Sequence, residues 1–452
     1  MVLKGKSLQY LVFLAGSFGM MQGGLNIGWT SPALPQLLSN TSSILMTEDE
    51  GSWLASFFFI GSVLGSLLSA IFLDVIGRKT TLLMVSVPFC GTWLIIAYAS
   101  ATWELFLARF IAGALDGLVF CCVCAYLPEV ADSKTRGLLT TGTAIFYALG
   151  SFLVNVFGEF LDIKLVALAS SGFCLGILLC LFIPESPYFY MLKGNTDKAR
   201  ISMELFNTDG DVDKALSSVS KALYEQKLDG GKWWELFTKS NNRKLFGLMT
   251  ITRFFQVFTG NICVTFYGQM IFQEGKDDVN PVIFISVYYL LQIIVMIINV
   301  SLIDKIGRRP LLILSMVTII FSLLIISTYF TLKNATNIEV AEYSWVSILG
   351  LLLFIIGYAL GSQNIPGLLV SEVFPLHVKT LAVAVFYIIY GLFGTFALKF
   401  FQYTKDQFGM HIPFIAFTVS CLCGLPFIIT YIPETKMKSL EDLQKNLGSK
   451  QN

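Results

Sequence analysis

The stretch FLDVIGRKT at residues 72–80 returns as LIDKIGRRP at 302–310. Each copy sets an acid, two spacers, a glycine and two basic residues directly after an apolar run. Asp74 and Asp304 stand 230 positions apart in a chain of 452. Charged corners repeated at half the chain's length point to an internal duplication.

The rest of the chain says what the corners separate. Apolar residues make up 55%, charged residues 13%, and the mean hydropathy is +0.70. A soluble domain carries about 25% charged residues. A net charge of +1 offers no footprint for nucleic acid. A helix needs about 20 apolar residues to cross a bilayer, and such runs recur throughout. The composition predicts an all-α membrane protein embedded in the lipid bilayer. Spans are expected at 8–30, 53–73, 80–100, 103–126, 138–159, 164–183, 245–272, 281–303, 311–331, 343–370, 380–402 and 411–432. The first run continues into GGLNIGWTSP and reads as a span rather than a signal peptide.

Residues 184–244 are rich in Lys, Asp and Ser and divide the spans six and six. This predicts a bundle over 1–183, a cytoplasmic linker over 184–244, a second bundle over 245–434 and a cytoplasmic tail over 435–452. Asn195 or Thr196 is placed to cap a short amphipathic linker helix. The twelve helices then form two pseudo-symmetric halves, an arrangement transporters use to hold substrate at the midplane, although a tandem repeat also suits a channel or a scaffold.

With both termini inside, 24 of the 31 Lys and Arg face the cytoplasm. Lys164, Lys276, Lys333, Lys399 and Lys405 lie outside, and Arg109 and Arg253 lie within spans. That satisfies the positive-inside rule. The sequons at Asn40 and Asn334 fall in outside loops and are candidate glycan sites, whereas Asn299 lies in a span. The nine cysteines all fall within spans and read as small packing residues, not as a disulfide or zinc framework. No metal, cofactor or covalent chemistry is expected.

Two further acid–base sets close the fourth and tenth spans: Glu129 with Arg136, and Glu372 with Lys379. PESP at 184–187 and PETK at 433–436 form another repeat pair, adding Glu185 and Glu434. Topology alone explains one such cluster. Matched sets in both halves also suit an inside latch that pairs across the halves and biases a two-state equilibrium.

These motifs, with RFIAGALDG at 109–117 and IPETKMKSLEDL at 432–443, resemble the sugar porter family of the major facilitator superfamily over nearly the whole chain. WTSPALPQL and DEGSWLASFFFIGSVLGS are similar to its insect branch, the facilitated trehalose and glucose transporters. The resemblance implies a major facilitator fold, transport rather than catalysis, and a monomer carrying a small-molecule sugar across the plasma membrane. It places Asp74, Gly77, Arg78, Glu129 and Arg136 in one gate network and Asp304, Gly307, Arg308, Glu372 and Lys379 in its partner.

The cavity departs from the family. A pattern like QQLSGINAVFY becomes QVFTGNICVTFY, keeping Gln256 but replacing the second Gln with Val257 and shifting the Asn to Asn261. Ala144 stands where the fifth helix usually offers Gln, Gln292 where many members have Asn, and Gly367 where IPW has its Trp. The site is read either as a roomier cavity suited to a disaccharide or as one for a different substrate. Its candidate contacts are Asn26, Thr30, Gln256, Asn261, Gln292, Gln363 and Asn364, each equally able to join two helices. Tyr267 is expected to be an outer lid, and Pro366 and Gly367 to bend an inner gate.

Intramembrane charges default to functional hypotheses. Proton-coupled members carry an acid where this chain has Thr30, which favours uniport. Asp116 either pairs with Arg109 or carries a proton, and Arg253 is expected to snorkel. A proton–sugar symporter and a sugar sensor that does not transport remain the alternatives.

Overall fold

A computed structural model describes residues 4–435, apart from 40–41, 43, 133–134, 207–211, 214–215, 218, 222, 224–234, 239, 276–280, 336–342 and 375. The first half contains α1 (Lys6–Leu38), α2 (Glu48–Val75), α3 (Arg78–Tyr98), α4 (Thr102–Val130), α5 (Arg136–Phe160) and α6 (Ile163–Gly172). A tighter 3₁₀ stretch, Phe173–Phe182, extends α6. Two short helices follow, α7 (Pro187–Leu192) and α8 (Thr196–Phe206). The second half contains α9 (Ser240–Val257), α10 (Asn261–Gly275), α11 (Pro281–Ile306), α12 (Arg308–Ala335), α13 (Ser344–Val373), α14 (Leu376–Phe408) and α15 (His411–Tyr431).

Ten helices among the described residues are long and apolar enough to cross a membrane. The other two places belong to α1 and to the broken pair α9–α10. Each half has its own apolar core, around Trp93, Phe89 and Val119 in the first and Phe330, Phe354 and Phe414 in the second. Val87, Leu175, Phe321 and Phe396 point outward instead, as a lipid-facing surface requires.

Without a hydrophobic drive between helices, small residues set how closely they pack. A Cβ at Gly61 or Gly65 would lie 2.0 or 1.9 Å from a carbonyl oxygen of α4. One at Gly24 would lie 1.9 Å from the Tyr147 carbonyl of α5. The α2–α4 and α1–α5 contacts therefore depend on bare backbone.

Three segments differ from the sequence expectation. First, α1 runs through Pro32 and Pro35 to Leu38, where a stop near residue 30 was expected. Gly158 of α5 packs on the Pro32 ring, and its carbonyl accepts a hydrogen bond from Gln36 Nε2 at 3.2 Å. Second, the seventh span is two helices. Gly260 has φ +89°, and a Cβ there would meet the Phe417 ring at 2.4 Å. A second distortion falls at Tyr267 (φ −107°, ψ 17°). Third, α13 passes through a π-helical turn at Tyr358–Ser362 and restarts at Ile365, so its break precedes Pro366. In the linker, Asn195 Oδ1 caps α8 by accepting from the Lys198 amide at 3.1 Å.

The repeated corners are built identically. Gly77 (φ +96°) starts α3 and Gly307 (φ +105°) starts α12. The next two amides, of Arg78 and Lys79, donate to Glu185 at 2.9 and 3.1 Å. Those of Arg308 and Arg309 donate to Glu434, both at 3.1 Å. The carboxylates thus sit on open helix N-termini, where unpaired N–H groups and the helix dipole favour negative charge. A Cβ at Gly77 would lie 2.3 Å from Glu185 Oε2. Gly77→Ala is therefore expected to destabilise the purified protein by about 2 kcal/mol through the positive φ alone, with more from the clash. It should show as a lowered melting temperature, whereas Gly91→Ala, inside α3 with nothing within 4 Å, should not lower it.

Candidate substrate pathway and gates

Each corner extends into a clamp. Arg78 donates from Nε and Nη2 to Glu129 Oε1 at 3.2 and 2.9 Å, and from Nη1 to the Leu73 carbonyl at 3.0 Å. Arg308 repeats this on Glu372 Oε1 at 3.2 and 3.1 Å and on the Ile303 carbonyl at 3.2 Å. Ser186 Oγ donates to Glu129 Oε2, and Thr435 Oγ1 to Glu372 Oε2 at 2.5 Å. Asp74 lies 3.8 Å from Arg78 Nη1.

The expectation was a latch that pairs these clusters across the halves. The ion pairs described at this face instead stay within one half. The reason is geometric: Glu185 and Glu434 pull each corner onto its own bundle, so the arginine's nearest acid is its own Glu129 or Glu372. The side chains of Arg136, Asp304 and Lys379, like Asn40 and residues 436–452, lie outside the described residues. Asn334 is exposed at the end of α12.

Charges do cross between halves at the opposite face, where Lys399 and Lys405 of α14 meet Asp49 and Glu48 of α2, each at 3.0 Å. Lys399 also donates to Ser52 Oγ at 2.6 Å and lies 3.9 Å from the Trp53 ring centroid. Nearby, the Gln269 amide of α10 donates to Ser31 Oγ of α1 at 3.2 Å. This junction was not among the expected contacts. Its signal was the acidic EDE at 48–50 facing two outside lysines.

Between the two faces lie the intramembrane charges. Arg109, fully buried, donates to the Asn26 carbonyl (2.6 Å), Thr30 Oγ1 (3.1 Å) and the Leu54 carbonyl (3.4 Å). Its guanidinium also faces the Phe58, Trp29 and Phe266 rings at 4.8, 5.6 and 5.9 Å. Asp116 makes no ion pair with it. Its carboxylate accepts from Tyr387 Oη of α14 at 2.7 Å and lies against Gly23 and Tyr147. Seven residues keep the two charges on one face of α4 but about 10 Å apart along it.

Arg253 does not snorkel either. Its helix begins at Ser240, which puts it about 20 Å from that end at 1.5 Å per residue. It is 8% exposed, donates from Nη1 to Gln256 Oε1 at 2.6 Å, and lies 5.6 Å from the Tyr390 ring. Gln256 Nε2 in turn donates to the Ser362 and Gln363 carbonyls at 2.7 and 3.2 Å, at the break in α13.

The other candidate contacts divide by half. Thr30 is engaged by Arg109, and Asn26 Nδ2 donates to the Gln22 carbonyl at 3.0 Å. In the second half, Gln292 Nε2 donates to Gln363 Oε1 at 3.1 Å, and Tyr288 Oη to Asn261 Oδ1 at 3.3 Å. Gln292 Oε1, Asn364 Nδ2, Tyr267 Oη and Gln269 Nε2 are buried and make no hydrogen bond among the described residues. Pro366 is buried in the first turn after the α13 break, and Gly367 stands beside Arg253. Among the described residues no cluster of metal-ligating side chains occurs, and the cysteines are free.

Two helical halves, broken helices and matched corners define a transporter fold of the major facilitator type. Structural comparison agrees. The proton:xylose symporter XylE bound to a bromodeoxyglucose superposes with a TM-score of 0.81 at 19% identity, covering 98% of this chain and 100% of XylE. An inward open conformation of XylE from E. coli gives 0.79, covering 97% and 99%.

The chain belongs to the sugar transporter family, whose description, "Sugar (and other) transporter", matches residues 12–447. Facilitated trehalose transporters of Anopheles gambiae and Culex quinquefasciatus are each 30% identical to it over 448 residues, or 97% of the chain. The match covers 86% of the Culex protein but only 56% of the Anopheles one, so the chain spans about half the length of some relatives.

Glu48 and Asp49 are exposed, and ion pairs of that kind are worth about 0.2–1 kcal/mol each, so the Glu48/Asp49–Lys399/Lys405 junction is weak. Lys399→Glu is expected to raise labelling of a Ser31→Cys probe by an impermeant thiol reagent about two- to fivefold. Adding Asp49→Lys should reverse most of that gain.

Proposed function

We propose that the protein is a facilitative sugar transporter that moves a hexose or trehalose across the plasma membrane by alternating access, with both termini cytoplasmic. One observation carries this reading. Each half is tied rigidly within itself at the chain-end face, while weak ion pairs join the halves at the opposite face. Rigid halves with a breakable junction at one end suit rocking about a central site, because only the cheap contacts must break. The breaks in the α9–α10 pair and in α13 supply the hinges. On this orientation the ion-paired face is extracellular, Tyr267 belongs to its lid, and Asn334 is placed for a glycan.

A sugar presents hydroxyl groups, and the unpaired buried donors and acceptors around Gln292 and Asn364 suit it. Thr30, which does not titrate near neutral pH, occupies the place beside Arg109 and supports uniport. Purified protein in liposomes is therefore expected to equilibrate labelled glucose or trehalose down its gradient, unaffected by a protonophore. Absence of any sugar flux with sugar binding intact would favour a sensor.

One observation favours proton coupling as a second reading. Asp116 is a buried carboxylate held by a tyrosine hydroxyl rather than by a cation, and a lone charge at that depth is expensive unless protonated. Uptake that collapses with a protonophore, and equally with Asp116→Asn, would establish that reading and end uniport.

A further inference from the structure

Three arginines are buried among the described residues: Arg78, Arg109 and Arg253. Arg78 is neutralised by Glu129, and Arg109 spends its donors on three oxygens and faces three aromatic rings. Arg253 is held differently. Its single described hydrogen bond runs from Nη1 to Gln256, its Nε has no partner, and no carboxylate of the described residues pairs with it. Its guanidinium lies 5.6 Å from the Tyr390 ring of α14. A Cβ at Gly367 would already lie 3.5 Å from its Nη2, so any larger side chain there would crowd the guanidinium. Unpaired Asn364 Nδ2 and Gln292 Oε1 sit on the adjoining helices.

A desolvated guanidinium with one neutral acceptor lacks a countercharge, and its planar fork matches a carboxylate. We infer that Arg253 is the anion-recognising point of the substrate site and that the preferred substrate is a sugar acid, a polyhydroxylated small molecule carrying one carboxylate. The inference rests on the transport reading above and, at that same site, puts a sugar acid ahead of the neutral hexose or trehalose as preferred substrate. The carboxylate meets the free edge of Arg253, while the hydroxyls meet the amides around the α13 break. Gln256 links the two, because it accepts from Arg253 and donates to that break.

The test uses the full-length protein in detergent and reads the ligand-induced shift in melting temperature with D-glucuronate, D-glucose and trehalose. Wild type should half-saturate with glucuronate at a concentration about tenfold or more below that for glucose, a gap that a buried charge-assisted hydrogen bond supplies. Arg253→Gln should bring the ratio to about one, and Arg253→Lys, which keeps the charge but not the fork, should restore part of it. The wild-type ratio needs no variant to fold. Glucose or trehalose binding without a glucuronate preference overturns this inference and leaves the sugar-transport reading standing. The same preference persisting in Arg253→Gln also overturns it. No shift with any of the three sinks both.

Discussion

A carboxylate laid on the open end of a helix organises each half. Glu185 caps α3 and Glu434 caps α12, taking N–H groups that no helical carbonyl can reach. Each cap requires a glycine in the left-handed region, because that conformation and the carboxylate's approach both exclude a side chain. The arginine of the same turn then reaches the acid ending α4 or α13, while its neighbouring amide stays on the cap. One corner thus ties three helix ends together. Ser186 and Thr435, each just after its capping acid, complete the set by engaging the second oxygen of Glu129 and Glu372. The described ion pairs at this face therefore tie each half to itself.

The halves share this frame but differ at the centre. In the first half Arg109 engages Thr30 and the Asn26 carbonyl, Asn26 Oδ1 and Asn155 Oδ1 make no hydrogen bond among the described residues, and bare glycine backbone brings α1 onto α5 and α2 onto α4. The second half carries the helix breaks and most of the unpaired polar atoms around the pathway. Broken helices in one half leave backbone and amide groups available there that an unbroken helix would use up. Arg253 belongs to the irregular wall, and it joins that wall's break to its cation.

Much of this frame was legible in the sequence. Long apolar runs, the two GR corners and the PESP and PETK pair encode spans and duplication through chemistry local to a few residues, whereas the caps join residues 107 and 126 positions apart. The direction of the ion pairs was not legible. Arg78 can meet an acid of its own half or one of the other half, and its contacts with Glu129 and Glu185, 51 and 107 positions away, are not readable from spacing. Asp116 and Arg109 share a helix face, so spacing suggested a pair, yet Tyr387 lies 271 positions away and takes the acid. Arg253 looked peripheral because α9 starts earlier than its apolar run. The break at Gly260 was hidden inside an apolar stretch of normal length.

The caps also impose an order on biogenesis. Arg78 waits 107 residues for Glu185, and Arg308 waits 126 for Glu434. In each half the capping acid follows the sixth span, so a growing chain cannot close its corner until that whole bundle has left the ribosome. Chains are made from the N-terminus, and folding units tend to form as they emerge. The first half can therefore lock before the second is complete, whereas a chain interrupted before Glu185 or Glu434 leaves an open corner of exposed charge at the membrane surface. Placing the fastener last gives quality-control machinery a chemical difference between finished and unfinished bundles.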